Sequence, residues 1–439
     1  RVSSMSQPLK YTGMSGLLAG QYLYIGGYSG SPFSPSPSFL IIFQGEGYYY
    51  SWNSSGMILS TRKNNNIVTM SGYIKPPNTK SSGLVAVLKN NSVRSFLIEG
   101  SSDIYLSDGV YYNGSIIVTG YFPQGGRGDL DVFVARLGLD GNLLGVKCYG
   151  SIDYPDVAKR LIVERDGFDV LGETWAYNVS QGDVLLLQVR DDLTLKDSWS
   201  IGGAGIDNGE DMGIASNGDY IITGYTVGGA GTQGFVVRMS RVGGLLWIRS
   251  YSSLGDTFLK RVYVDGGREK IYILGSGAFE EDRRDFFLLV MSEVSGWILN
   301  ESRLEIVRAG PILDYTVDMS GYNLFIYHYG GVAVVDLNKS LAVSYEVEGI
   351  HINETSLLDD SVELPYYSKS LFGWRILRNV VSERQCPAIK VVEASPMLSI
   401  LPVNRSSIEL KRGEFKREFD LGLAIRRFLE RNVPILLLI

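Results

Sequence analysis

Two cysteines and two histidines are all that 439 residues supply of those two side chains. That scarcity excludes a disulfide-built mini-domain, which a chain of this length does not need, and it leaves a zinc site without its ligand set. It also starves a Ser-His-Asp or Cys-His catalytic set. His328 falls in a β-rich run, where it reads as a polar lining residue rather than a base, and His351 falls in a stretch with no periodicity. Positive charge is in deficit, with 41 Lys and Arg against 47 Asp and Glu, a net charge of -6 and no basic stripe, so nucleic acid is not an expected partner. The longest apolar run, VPILLLI at 433–439, is far shorter than the roughly 20 residues of a membrane-spanning helix. Gln is scarce too, at eight residues, a mild sign of a thermophilic source.

What the chain does have is glycine, β-branched residues and tyrosine in a repeating order. The stretch 217–251 holds three short β-rich runs, YIITGY, GFVVRMS and LLWIRSY, parted by glycine-rich turns, and a fourth, FLKRVYVD, begins at Phe258. The glycine of the first run recurs as Gly27, Gly72, Gly120, Gly172, Gly224 and Gly275, at intervals of 45, 48, 52, 52 and 51 residues, and His328 takes its place 53 residues further on. A period of about 50 residues with four strands per unit belongs to β-propeller blades. The expected fold is therefore all-β, a seven-bladed propeller over 1–348, followed by a connector at 349–385 and a small C-terminal β segment at 386–439. The next run of each unit, such as LVAVL from Leu84 or DVLLLQV from Asp183, is almost wholly apolar, as suits strands covered on both faces. Trp52, Trp199, Trp247 and Trp297 sit in the run after that and read as core.

PLKYTGMSG at 8–16 parallels PILDYTVDMSG at 311–321, so the opening strand is expected to act as the fourth strand of the last unit and close the ring, which removes open edges. The C-terminal segment alternates polar and apolar residues but spans only about half of a β-sandwich of roughly 100 residues. It has two outlets: packing on its own ring, or head-to-tail strand exchange between copies through Val433, Ile435, Leu437 and Ile439.

The segment GDLDVFVARLGLDGNLLGVKCYGSIDYPDVAKRLIVERDGFDVLGET, at 128–174, carries the pattern D-x-x-V-x-[KR]-L-x-x-x-G-x-L. It resembles the seven-bladed β-propeller repeats of secreted bacterial and archaeal proteins, best over about 120–275. SPMLSILPVNRSSIELKRGEFKREFDL, from Ser395, is similar to the opening of the immunoglobulin-like modules of archaeal surface proteins. These resemblances imply an extracellular, usually non-catalytic scaffold with no defined active site and no cofactor.

Eight Asn-x-Ser/Thr acceptors support that compartment: Asn53, Asn90, Asn113, Asn178, Asn300, Asn338, Asn353 and Asn404. Nineteen Asn in this composition would give roughly two or three by chance. The start RVSSM, without an initiator Met, fits a mature secreted product. In an oxidising exterior Cys148 and Cys386 could pair and clamp tail to ring, or stay as two buried thiols.

Other candidates are weaker. The residue after five of the seven markers is a tyrosine, Tyr28, Tyr73, Tyr121, Tyr225 and Tyr329, a partial ring that could stack on sugars at a tunnel mouth or simply pack between blades. Asp153 with Asp156, Asp207 with Asp211, and Asp256 recur at turns, where Asp bonding to its own backbone is the simpler reading than calcium. Arg127, Gly128 and Asp129 spell an integrin-binding tripeptide, although Asp129 more simply precedes the strand motif. The expectation is a glycosylated, non-enzymatic subunit of a cell-surface filament or surface layer, with itself as partner. The alternatives are a carbohydrate-binding or adhesion propeller and a polysaccharide-active one.

Overall fold

The structure, a computed structural model, describes residues 11–31, 34–43, 46–90, 92–124, 129–176, 182–228, 231–252, 255–280, 283–296, 298–307, 316–328, 331–336, 341–347, 356–358 and 375–408. It is all-β in these residues, and every strand pairing is antiparallel. Up to Val347 the strands fall into consecutive quartets, at 11–51, 55–100, 105–150, 156–202, 206–251, 257–307 and 316–347, called first to seventh below.

Third strands are deeply buried, as their apolar composition requires: all of Ser82–Lys89 except its last residue is buried, and so is all of Asp183–Arg190 except its last. Apolar clusters lie between neighbouring quartets. One joins Val85, Phe96 and Ile98 of the second to Ile116, Val118 and Phe133 of the third, and another joins Leu171, Leu186 and Trp199 of the fourth to Tyr220, Phe235 and Met239 of the fifth. Trp52 and Trp199 are buried and Trp247 is packed at such a seam, in line with the core reading; Trp297 lies outside the described residues.

The marker glycines have a steric cause. A Cβ on Gly120 would sit 2.0 Å from the Tyr105 carbonyl oxygen, and one on Gly224 would sit 1.9 Å from that of Asn208. Both carbonyls belong to the preceding first strand, which bulges opposite the glycine, between the partners of Thr119 and Gly120 and between Gly209 and Asp211.

The grouping differs by one strand from the expectation. Thr257–Asp265, anticipated as the last strand of the unit at 217–251, opens the sixth quartet, and Ile206–Ile214 completes the fifth instead. In the same way Tyr11–Ala19 is not the fourth strand of the last unit. It pairs with Tyr22–Ser31 as the first strand of the first quartet, whereas the outer strand of the seventh, Leu341–Val347, pairs with Met397–Ile408. A repeat of identical period leaves its own phase open; short links such as 252–256 decide it.

The larger correction concerns the C-terminal region. The described residues of 349–385 are not a plain connector, and 386–408 form no small sandwich of their own. The described strands from Ser356 on lie along the outer edges of the quartets in reverse order, as a strap. Ser356–Leu358 pairs with the sixth, Arg375–Arg378 with the fourth, Ser382–Arg384 with the third and Ile389–Ala394 with the second. Met397–Ile408 then pairs with the first quartet through Met397–Pro402 and with the seventh through Val403–Ile408, passing directly from one to the other. Ile376, Val380, Val381, Cys386, Ile389 and Val391 of the strap join the seams between quartets. Full burial of Val380 and Val381 contributes about 1.5–3 kcal/mol each.

Candidate functional site

The first strands of the first six quartets bring Ser15, Ser60, Asp108, Arg160, Asp211 and Arg261 to equivalent positions beside the bulge, and Asp318 joins them from the first strand of the seventh, which pairs without a bulge. Contacts run from each to the next. The Thr61 amide donates to Ser15 Oγ (2.8 Å), the Ser60 hydroxyl donates to Asp108, and the Leu161 amide donates to Asp108 Oδ2 (3.0 Å). Arg160 pairs with Asp211 (3.1 Å), the Val262 amide donates to Asp211 Oδ2 (3.1 Å), and Arg261 pairs with Asp318 (2.5 Å). The Gly16 amide, from the first quartet, then donates to Asp318 Oδ2 in the seventh (3.0 Å). Arg62 adds a bidentate pair to Asp108, at 2.8 and 3.3 Å.

These charges are buried and mutually compensated. Burial pushes the Asp108 carboxyl up, but the Arg62 guanidinium outweighs it and holds the pKa down, at about 2. Asp318 is likewise lowered, burial being outweighed by Arg261. The network was missed in the sequence although its signal was there: Asp and Arg alternate at one repeat position in five successive quartets.

One residue before this layer, Lys159 bridges Glu173 (2.8 Å) and Glu210 (3.2 Å) and donates to Asn208. The tyrosines stand near it. Tyr73 meets Tyr105 edge-on at 5.2 Å, and Tyr105 stacks on Tyr121 at 5.3 Å; Tyr225 meets Phe258 edge-on at 4.9 Å. So Tyr73 and Tyr121 come together only through Tyr105, a first-strand residue that sequence reasoning did not single out, and Phe258 plays the corresponding part for Tyr225. Tyr28, Tyr73, Tyr121 and Tyr225 are all partly exposed, and burial raises the phenol pKa of Tyr73, Tyr121 and Tyr225. Tyr329 lies outside the described residues.

The turn carboxylates behave differently. Asp156 accepts the Ser151 amide (2.6 Å) and hydroxyl (2.8 Å) and Asp207 accepts the Gly203 amide (2.6 Å), so each ties its own turn as the simpler reading expects, whereas Asp256 accepts the Thr232 amide (3.2 Å) from 24 residues away. Asp211, by contrast, belongs to the axial layer. Burial raises Asp156 and Asp207 to about 6. Asp131 goes to about 7, since its burial is opposed only weakly by Arg384 at 3.5 Å, and its Oδ1 has no hydrogen bond among the described residues.

Cys148 of the third quartet and Cys386 of the strap are joined by a disulfide, with Cα atoms 5.3 Å apart. Polar contacts flank it: Glu383 accepts the Leu195 amide (3.0 Å) and pairs with Lys147 (3.0 Å), Arg378 Nε donates to Asp197 (2.8 Å), and Arg94 pairs with Glu393 (3.1 Å). Asn53, Asn90 and Asn113 are exposed, Asn90 and Asn113 in hairpin turns with positive φ; Asn300 and Asn404 lie in strands; Asn178, Asn338 and Asn353 lie outside the described residues. His351, Arg127, Gly128 and the tail residues Val433, Ile435, Leu437 and Ile439 also lie outside them, and His328 ends the strand Asn323–His328. No helix among the described residues is long and apolar enough to cross a membrane.

No protein-family model matches the chain, and no curated protein matches it. Solved structures do. A europium-containing methanol dehydrogenase aligns over 79% of this chain and 84% of its own at 9% identity and a TM-score of 0.44. Sqt1 of Chaetomium thermophilum aligns over 76% and 84% at 11% identity and 0.40. The β-fructofuranosidase BmSUC1 of Bombyx mori aligns over 92% of each chain at 9% identity and 0.27. At these scores the activities of those proteins carry no argument for this one.

Proposed function

We propose that this chain is a non-enzymatic extracellular structural protein, a seven-bladed β-propeller that carries N-glycans and serves as the subunit of a cell-surface filament or layer. Each quartet is one blade in this reading. The circuit of contacts from Ser15 through Asp318 back to Gly16 supports a closed ring, and so does the passage of Met397–Ile408 from the first quartet to the seventh. The exposed turns at Asn53, Asn90 and Asn113 suit glycosylation, and the Cys148–Cys386 bond suits an oxidising compartment.

The observation that carries the structural reading is the strap. Its described strands cover the outer edges of every quartet but the fifth, so edge-to-edge pairing between copies is blocked where they lie, and in this reading copies are joined through the segment after Ile408. Electron microscopy of native material tests this: ordered polymers are expected, and monomers lacking glycan would sink the reading. A second reading, carbohydrate binding or adhesion, is favoured by the Tyr73, Tyr105 and Tyr121 stack beside Lys159, Glu173 and Glu210. Tyr121→Ala that abolishes glycan binding without unfolding would support it.

A further inference from the structure

Where the strap crosses from the fourth quartet to the third it leaves a groove of about 520 Å³. One wall is built by the link between those quartets, with Ile152 and Tyr154; the other is built by the strap, with Asn379 and Ser382. The link exposes apolar surface that a turn rarely shows: Ile152 is 68% and Tyr154 41% exposed, and Trp175, just after the second strand of the fourth quartet, is 38% exposed. Deeper in the groove Ala176, Val380 and Val381 are buried and apolar.

We propose that this groove is the acceptor for the C-terminal segment 433–439 of a second copy of the chain. The inference rests on the assembly reading above and names the surface at which the joint is made. The described strap ends at Ile408 on the seventh quartet, and 31 residues follow, an extended reach of roughly 100 Å. They end in VPILLLI, seven residues with no charge, whose Val433, Ile435, Leu437 and Ile439 share one side of an extended segment. The groove holds roughly three branched aliphatic side chains at protein packing density.

Charge agrees. Residues 409–432 hold seven Lys and Arg against five Asp and Glu, while the rest of the chain carries a net -8. Asp153 stands exposed in the link, while Asp129 and Asp131 nearby share Arg384, at 3.8 and 3.5 Å. A basic segment followed by an apolar heptapeptide matches an apolar groove with an exposed carboxylate at its rim. A second copy is taken as the occupant because the assembly reading needs a joint between copies; the chain's own segment also lies within the roughly 100 Å reach, and the mixing experiment below separates the two. The groove also exists only once the strap is in place, so a copy becomes an acceptor after Cys148 and Cys386 have joined, four residues beyond Ser382.

The test uses the full-length chain. Ile152→Asp, at an exposed position, is expected to raise the concentration needed for polymerisation by about tenfold or more with the melting temperature unchanged, and deletion of 433–439 is expected to give monomers. Mixing these two non-polymerising variants is expected to yield discrete one-to-one complexes, since one keeps the segment and the other the groove. If the deletion gives monomers but Ile152→Asp polymerises normally, the acceptor lies elsewhere and this proposal fails while the assembly reading stands. If the deletion polymerises normally, both fail. If Ile152→Asp blocks polymerisation but the mixture forms no complex, the groove does not receive the segment from a second copy, and the proposal fails.

Discussion

Two sets of buried carboxylates stand in this protein under opposite electrostatic rules. Asp108 and Asp318, on the first strands, are lowered because guanidinium groups of Arg62 and Arg261 outweigh the cost of burial. Asp131, Asp156 and Asp207, beside loops between strands, are raised because hydrogen bonds from turn residues and, for Asp131, the Arg384 guanidinium at 3.5 Å do not outweigh burial. Burial alone therefore does not set the sign of a shift; its balance against nearby cations does, and Asp169 stays raised, at about 6, although Arg241 donates to it at 2.6 Å. The axial set ties quartets together, whereas the other set ties turns.

The linkage has opposite signs as well. The stabilisation from Asp108 is present above its unfolded pKa of 3.8 and is lost as pH falls through about 2. For Asp131 the native state holds the proton more tightly than the unfolded chain, so stability is greatest below 3.8 and declines as pH rises through about 7.

The strongest way to break the contrast is to remove a cation from the axial set. Arg261→Met leaves Asp318 and Asp211 under-compensated and is expected to cost about 3–5 kcal/mol in urea unfolding. Reducing the Cys148–Cys386 bond, or Cys148→Ser, is expected to cost about 2–4 kcal/mol. It should also steepen the alkaline decline, because Arg384, the cation beside Asp131, lies two residues from Cys386; a thermal series from pH 4 to 8 reads both effects. Asp131→Asn sharpens the comparison from the other side: it should gain about 2 kcal/mol at pH 8 and nothing near pH 4. An Asn variant that is less stable at pH 8 would show that Arg384 compensates the charge after all. The smallest effect belongs to Arg94→Ala, which removes an exposed pair with Glu393 and is expected to cost less than about 1 kcal/mol.

Much of the repeating fold was legible because its causes are local. Gly120 and Gly224 mark places where a neighbouring carbonyl leaves no room for a Cβ, and that demand recurs in every unit with the same bulge. The apolar third strands were legible for the same reason, since a strand covered on both faces cannot hide its composition. The strap was not. Ser382–Arg384 is three residues long and Arg375–Arg378 four, and neither has a period of its own, because a strand added to an existing edge borrows its register from the partner. The tyrosines were legible as a set but not as contacts, for Tyr105 and Phe258 enter from first strands that the repeat does not mark.

The amino-acid order by itself determined the strand content, the period and the residues that must be small or apolar, since sterics and hydration act within a few residues of each position. Which four strands share a sheet, where the strap lies, which cysteine meets which, and whether a buried aspartate is charged were decided only in three dimensions. Those outcomes depend on partners tens to hundreds of residues away, as Gly16 with Asp318 and Cys148 with Cys386 are, and no local pattern encodes a neighbour that only folding supplies.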